Sequence, residues 1–371
     1  MPVSFETLVA ALSEPDFYAH APASVEVVQT HISWVFLAGD EVFKLKKPVR
    51  FSFLDFSTAA LRQHFCREEV RLNRRLAGDV YRGVLGLQDG ADRLAFCDID
   101  DPAVIEAVVH MRRLPAARML PALLERGEVD THVIDAIVDR LVRFHQAYPA
   151  GDAGRAAAQP ERLLASMHRD FVEMNRFRDV TLPAADDDAI RNHCTAGIEV
   201  RASLLRQRCE EGRVRDGHGD LHAEHICIPS DDLAEIIIFD CIEFSPEFRY
   251  RDVAAEIAFL AMDLEHRGYP RLADHLVSTY ARDTDDPEFA SLVPLFACHR
   301  AYIRGKVESL KSEEEEVGDE ARAAARSRAS QYFQLAYRYT WRTSPALVVV
   351  YGLSGSGKST LARALAARTG F

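Results

Sequence analysis

Apolar positions early in the chain change their spacing twice. Residues 5–12 carry them at helical intervals, and Pro15 closes the pattern. From Val25 to Pro48 the spacing becomes that of strands. Val25–Val28 is β-branched, Ile32–Leu37 is apolar and partly aromatic, and Ala38-Gly39-Asp40 supplies turn chemistry. Glu41–Lys46 alternates around Val42, Phe43 and Leu45, so these runs predict a hairpin with Lys44 and Lys46 on one face of its second strand. Thr58–Ala77 returns to a helical pattern through Leu61, Phe65, Val70 and Leu72. Val84–Leu87, Leu94–Ile99 and Glu106–Met111 read as further strands.

Arg112-Arg113-Leu114-Pro115 marks a connector, after which the pattern is helical to about residue 340. The exceptions are a loop at 217–225 and an Ile-rich strand, Glu235–Phe239, ending at Asp240. Pro149–Pro160 reads as a loop, and Ala184–Asp188 as a solvated turn. From Glu313 a charged stretch grades from acidic to basic, as an exposed linker helix would. A strand-rich lobe followed by a helical lobe is an α+β plan. The predicted boundaries are 1–113 for the strand-rich lobe, 114–312 for the helical lobe, 313–345 for the linker helix and 346–371 for a terminal segment.

Composition narrows the function classes. The formal net charge of −12 argues against non-specific binding to nucleic acid or to an anionic membrane, and favours a cationic small molecule. Seven scattered cysteines without a Cys-x-x-Cys suit reduced thiols. No basic leader and no apolar run of roughly 18 residues is present, so the chain reads as soluble and cytoplasmic. Nothing in the sequence sets an oligomeric state.

Two groups of residues carry phosphate chemistry. His218-Gly219-Asp220-Leu221-His222 lies in the loop before the Ile-rich strand. Phosphoryl transfer needs a carboxylate to position a hydroxyl, oxygen ligands for Mg²⁺ and a cation on the phosphates. Asp220 can reach a hydroxyl, and Asp240 ends an apolar strand where a carboxylate is costly unless it is paired or holds a metal. Lys44 and Glu69 are placed to form a phosphate-anchoring ion pair, with Lys46 as the alternative lysine. Two other readings compete: His-Gly-Asp as an ordinary turn with Asp240 as a helix cap, and His218, His222 and His225 as zinc ligands. Arg300, Arg304 and Lys306 read either as pocket-lining residues or as an ion-paired helix face.

The second group is Gly352-Leu353-Ser354-Gly355-Ser356-Gly357-Lys358-Ser359, a full Walker A pattern with 12 residues after it. Leu347–Tyr351 predicts a strand buried on both faces of a parallel sheet. A helix from Lys358 to Arg368 follows, with Gly370 as its cap. Backbone N–H groups at Gly352, Gly355, Ser356, Gly357 and Thr360 would cradle phosphate. Lys358 would reach the β/γ oxygens and Ser359 would ligate Mg²⁺. One βα unit cannot bury its own strand, so the segment reads as the start of a P-loop domain whose remainder lies outside this chain.

His218–His222 followed by a strand ending in aspartate resembles the catalytic segment of aminoglycoside phosphotransferase-like kinases, relatives of the protein kinases. Residues 30–58, 68–77, 110–115, 239–264 and 299–310 resemble, more narrowly, bacterial bifunctional aminoglycoside phosphotransferase/ATP-binding proteins, in which such a kinase domain is fused to a P-loop domain. The resemblance spans about residues 25–371 and implies a two-lobed kinase-like fold, followed by the first βα unit of an α/β P-loop domain. It implies an ATP-dependent phosphotransferase acting on a small-molecule hydroxyl, with ATP and Mg²⁺ as cofactors. Asp220 would be the catalytic base and Asp240 the metal ligand. Lys44 would grip phosphate with Glu69 behind it, Val108–Met111 (Val109 and Met111 among them) would face adenine as a hinge, and Asp252 would fix the catalytic loop. The family usually has asparagine as second metal ligand five residues after the catalytic aspartate. His225 stands there instead, so that one metal site is expected to be weak, shifted to Mn²⁺ or served by Glu224. A Gly-rich phosphate loop is also lacking; Thr30, His31 and Ser33 occupy that turn. A second function implied is a nucleotide-binding or regulatory module serving a P-loop kinase or ATPase domain.

Overall fold

A computed structural model describes residues 3–51, 53–90, 93–314, 318–342 and 347–370. The chain divides into two compact units, and the first runs to Val129 and also takes in His218–Asp220 and Glu224–Arg249. It begins with α1 (Phe5–Ser13), then β1 (Val25–Gln29), β2 (Ser33–Ala38) and β3 (Glu41–Lys46). A two-strand ribbon, β4 (Arg50–Phe51) and β5 (Leu54–Asp55), leads to α2 (Ala59–Ala77) and then to β6 (Tyr81–Asp89), β7 (Leu94–Asp98) and β8 (Val104–Arg112). The short helix α3 (Leu120–Glu125), the strands β10 (Ile226–Cys227) and β11 (Ile237–Ile238) and the turn helix α9 (Pro246–Arg249) complete it.

Six strands form one antiparallel sheet in the order β1-β2-β3-β8-β6-β7. The alternation along β3 decides what each face does. Phe43 and Leu45 join Phe36 and Val108 in a core that includes Leu8 and Leu12 of α1. Val42 joins Val109 and Met111 in a second core that includes Cys66 and Val70 of α2. Each fully buried Phe or Leu contributes about 1.5–3 kcal/mol. Lys44 and Lys46 share the α2 side with Val42, as the alternation predicted. The helix α2 starts at Thr58, whose hydroxyl accepts from the Leu61 N–H at 3.2 Å.

The second unit holds α4 (Thr131–Ala147), α5 (Gly151–Ala157), α6 (Pro160–Met174), α7 (Ala184–Val200) and α8 (Ala202–Glu210). It continues with β9 (Val214–Asp216) paired to β12 (Tyr250–Asp252). Four long or middling helices follow: α10 (Val253–His266), α11 (Pro270–Asp283), α12 (Phe289–Lys311) and α13 (Asp319–Arg342); the last is α14 (Lys358–Thr369). A Cβ at Gly305 would lie 2.5 Å from the Phe333 ring, so glycine is what lets α12 and α13 approach this closely. No helix among the described residues is long and apolar enough to cross a membrane.

Five sequence expectations are corrected here. Pro149–Pro160 is not all loop, because α5 forms within it with Gly154 lying against Tyr250. Ala184–Asp188 is the first turn of α7, and Asp187 is fully buried there. It accepts from Arg178 at 2.5 Å, Arg191 at 2.8 Å and the Tyr302 hydroxyl at 2.9 Å. Three donors make an otherwise costly buried carboxylate tolerable. The supposed linker helix is α13, which buries Ala329, Tyr332, Phe333 and Ala336; part of the acidic run, 315–317, lies outside the described residues. The Ile-rich strand shrinks to β11, because Leu233–Glu235 turns as a 3-10 helix.

The fifth concerns the terminal segment. Leu347–Tyr351 forms no strand, and Leu347 and Tyr351 are each 91% exposed. A parallel strand needs partners for its N–H and C=O groups on both sides, and none of the described residues supplies them. The helix after it does form, and Gly370 caps it in the left-handed region (φ 81°), donating to Ala366 O. Arg338 donates to Ala367 O at 3.2 Å and Arg368 pairs with Asp186, which docks α14 on α13 and α7.

Candidate active site

The β10–β11 pairing builds the site. Ile226 lies opposite Ile238 and Cys227 opposite Ile237, and the Phe239 N–H donates to His225 O at 3.0 Å. That register sets the loop ending at His225 beside the turn beginning at Asp240. Gly219 (φ 84°) turns the loop, and a Cβ there would meet Ile242 and Phe248 O at 3.3 Å. The His218 ring accepts the Asp220 N–H at Nδ1 (3.3 Å) and donates from Nε2 to Phe239 O at 2.7 Å. His218 is therefore a buried strut between loop and turn.

Asp240 adopts φ 62°, a left-handed conformation that costs a non-glycine residue roughly 1–2 kcal/mol. Its neighbours hold it there. The Asp240 N–H donates to the Tyr81 hydroxyl at 3.2 Å and the Cys241 N–H to Asn73 Oδ1 at 2.8 Å. The Ile242 N–H donates to His218 O at 3.0 Å, and Arg249 donates to Ile242 O at 3.0 Å.

The carboxylates and ammonium groups form one chain of charge. Lys44 Nζ donates to Asp240 Oδ1 at 2.7 Å and to Glu69 Oε1 at 2.9 Å. Lys46 Nζ takes the other Glu69 oxygen at 2.5 Å and also pairs with Glu243. Lys46 and Glu69 are fully buried, whereas the Asp240 side chain is 40% exposed and so open to a ligand. Burial raises the Asp240 carboxyl, but the Lys44 ammonium and His225 outweigh it and hold the group below the ordinary carboxylate range. Burial likewise opposes the charge on Lys44, and Asp240 and Glu69 overcome it, so the ammonium stays charged. Glu243 differs: burial dominates and raises its carboxyl.

His225 joins the two aspartates. Its Nδ1 lies 2.8 Å from Asp220 O and 3.7 Å from Asp220 Oδ2, while Nε2 lies 3.5 Å from Asp240 Oδ2. Nδ1–H donates to the Asp220 carbonyl, and Nε2 faces Asp240. This is how a metal-binding histidine is usually oriented.

Lys44, Glu69, Asp220, His225 and Asp240 are thus brought together within the first unit. Val109 and Met111 lie elsewhere than a hinge: both are interior to β8, paired to β3 on one side and β6 on the other. Their backbone groups are committed to the ladder. The first backbone group past the strand, the Arg113 N–H, donates to Asp40 O at 2.8 Å. Thr30 and Ser33 close their own turn, the Ser33 N–H donating to Thr30 Oγ1 at 3.0 Å. In the second unit Asp252 caps α10 through the Ala254 N–H and pairs with Arg208. Lys306 is ion-paired with Asp170 (2.6 Å) and Glu173 (2.9 Å), and Arg300 and Arg304 lie over the Phe259 and Tyr332 rings. Gly352–Gly357, Ser359 and Thr360 are exposed, and Lys358 Nζ folds back onto Leu353 O at 2.5 Å.

Sequence reading missed Lys46 as a second, buried partner of Glu69, and it missed Tyr81, Asn73 and Glu243. Only Lys46 left a signal, by sharing the face of Lys44.

The fold and site define an α+β protein with a buried lysine–carboxylate chain beside an aspartate loop. No family model matches the chain. Uncharacterised proteins of Mycobacterium bovis and Mycobacterium tuberculosis are 32% identical over 346 residues, covering 93% of this chain. The match spans 66% of the length of those relatives. Among solved structures, a choline/ethanolamine kinase family protein from Mesorhizobium loti aligns with a TM-score of 0.45 at 17% identity, covering 90% of this chain and 99% of that one. An aminoglycoside phosphotransferase from Alicyclobacillus acidocaldarius gives 0.39 at 13%, covering 85% and 90%. A glucosamine kinase in complex with glucosamine, ADP and inorganic phosphate gives 0.37 at 14%, covering 89% and 80%. Scores this low leave the fold class to the strand order and helices themselves.

Proposed function

We propose that this protein is an ATP-dependent phosphotransferase that moves a phosphoryl group to a hydroxyl of a small molecule. The observation that carries this reading is Lys44, held between Glu69 and Asp240. It is a charged ammonium that would meet the phosphates, backed by one carboxylate and facing another that is exposed enough to take a metal. Asp220 would accept the acceptor hydroxyl's proton, and its loop is fixed by His218 and His225. Lys44 would hold the α/β-phosphates in line with that hydroxyl.

A divalent ion fits the donor set of Asp240 Oδ2 and His225 Nε2, one oxygen and one nitrogen 3.5 Å apart. It would neutralise phosphate charge when bound. A nitrogen donor suits Mn²⁺ better than Mg²⁺. His225→Asn is therefore expected to lower the ratio of Mn²⁺- to Mg²⁺-supported activity by on the order of 10-fold. An unchanged ratio would show that the ring is not a ligand.

The acceptor is sought by following ATP consumption across hydroxyl-bearing metabolites and aminoglycosides with either metal. The net charge of −12 favours cationic ones. No transfer to any acceptor, together with no nucleotide binding, would overturn the reading. A second reading, nucleotide binding at the terminal loop, is favoured by Gly355 (φ 80°) and Gly357 (φ 82°), whose left-handed backbones lead into α14 in the manner of a phosphate cradle.

A further inference from the structure

The lysine that the proposed chemistry does not use is the more deeply buried of the two. Lys46 is fully buried, and so are its partners Glu69 and, nearly, Glu243. Burying an ion pair seldom gains stability over apolar side chains of similar size, so this one calls for another explanation. The three groups come from β3, α2 and the turn after β11, so the ion pairs tie three elements at one point. Glu69 is divided, with one oxygen on Lys44 and the other on Lys46. Glu243 lies three residues past Asp240, whose left-handed backbone must be held by its surroundings.

We infer that Lys46 and Glu243 are positioning residues for Asp240 and Lys44: their buried pair anchors the turn that carries Asp240, and reserves a single Glu69 oxygen for Lys44. This rests on the phosphotransfer reading of the same site. Without Lys46, both Glu69 oxygens are open to Lys44, and the ammonium is drawn off Asp240 towards α2. Without its partner, Glu243 is a buried, unpaired carboxylate, and moving it to water displaces the turn. The backbone bonds to Tyr81, Asn73 and His218 hold the turn's path, while the Lys46–Glu243 pair sets its distance from β3.

The test compares the wild type with Lys46→Met/Glu243→Leu, which removes both charges and keeps apolar volume, and with Asp240→Asn as reference. Binding of Mn²⁺ in the presence of ATP is read from the free-ion electron paramagnetic resonance signal. Fold is read from the thermal midpoint, and kcat and KM for ATP are measured where turnover is seen. The double variant is expected to keep the wild-type midpoint, since apolar replacement of a buried pair is commonly neutral. It is also expected to bind Mn²⁺ with ATP about 10–100-fold more weakly and to lose kcat to a similar degree. A double variant that keeps wild-type binding and kcat overturns the positioning role and leaves the pair a matter of packing. A wild type that binds no better than Asp240→Asn overturns the phosphotransfer reading and this inference with it. If the double variant does not fold, Glu243→Gln keeps the shape and removes one charge. A loss of Mn²⁺ binding there at an unchanged midpoint supports the inference, and unchanged binding overturns it.

Discussion

Asp220→Asn is expected to reduce phosphate transfer by about 10²–10⁴-fold, the usual contribution of a positioned base. The substitution keeps the side chain's size and leaves the loop's other bonds in place. The Asp220 N–H still reaches His218, and the Asp220 carbonyl still accepts from His225. KM for ATP should therefore stay close to wild type while kcat falls, because the lost group acts on the acceptor and not on the nucleotide. Lys358→Ala, made alongside, is expected to leave transfer unchanged, since Lys358 opens α14 in the second unit and is no part of the Lys44–Asp240 cluster. Transfer of labelled phosphate from ATP to the acceptor found by screening measures both. Loss in Lys358→Ala with Asp220→Asn unaffected would move the activity to the terminal loop. Loss in neither would remove both assignments.

Arg208→Met is expected to destabilise the protein by about 3–5 kcal/mol, a large share of the roughly 5–15 kcal/mol that a folded protein has available. The Arg208 guanidinium is 1% exposed and grips Asp252 through Nε (2.7 Å) and Nη2 (2.9 Å) while Nη1 reaches Asp286 at 2.6 Å. Both aspartates are buried, so removing the cation takes the bidentate partner from Asp252 and leaves Asp286 only the longer contact to Arg213 at 3.6 Å. Arg208→Lys should rescue little, because an ammonium cannot present the fork that meets two carboxylates at once. Adding Asp252→Asn and Asp286→Asn to Arg208→Met should recover much of the loss, and the amide that replaces the Asp252 carboxylate would still cap α10. Urea unfolding at neutral pH reads all of these. A loss below about 1 kcal/mol for Arg208→Met would mean the network is no more than a surface-grade ion pair.

Local pattern was enough for several parts of this molecule. The alternation along Ile32–Lys46 specifies a hairpin because side chains of a strand point to opposite faces, and this also put Lys44 and Lys46 on one side. Thr58 and Gly370 announce the start of one helix and the end of another through hydroxyl capping and left-handed backbone freedom, both local effects. His218, Asp220 and Asp240 could be picked out as candidates because a polar loop before an apolar strand leaves few reasons for a carboxylate at its end.

What the tertiary structure decided is mostly the fate of charge and of irregular composition. Asp187 sits in a run of aspartates that reads as solvated, and Arg178 and Tyr302 from outside α7, with Arg191 one turn on in the same helix, make its burial tolerable. The stretch holding α5 carries Gly151 and Gly154 between Pro149 and Pro160, which argues against a helix, and packing on Tyr250 settles it. The reverse holds at Leu347–Tyr351, where a strong strand pattern yields no strand because a ladder requires a partner. The second lysine is the clearest case. Spacing fixed its face, but whether Lys46 or Lys44 meets Asp240 depends on where α2 and the 240–243 turn arrive in space. A strand's side-chain direction is a local property of two dihedral angles per residue. The partner of a buried charge is set by elements up to 197 residues away along the chain.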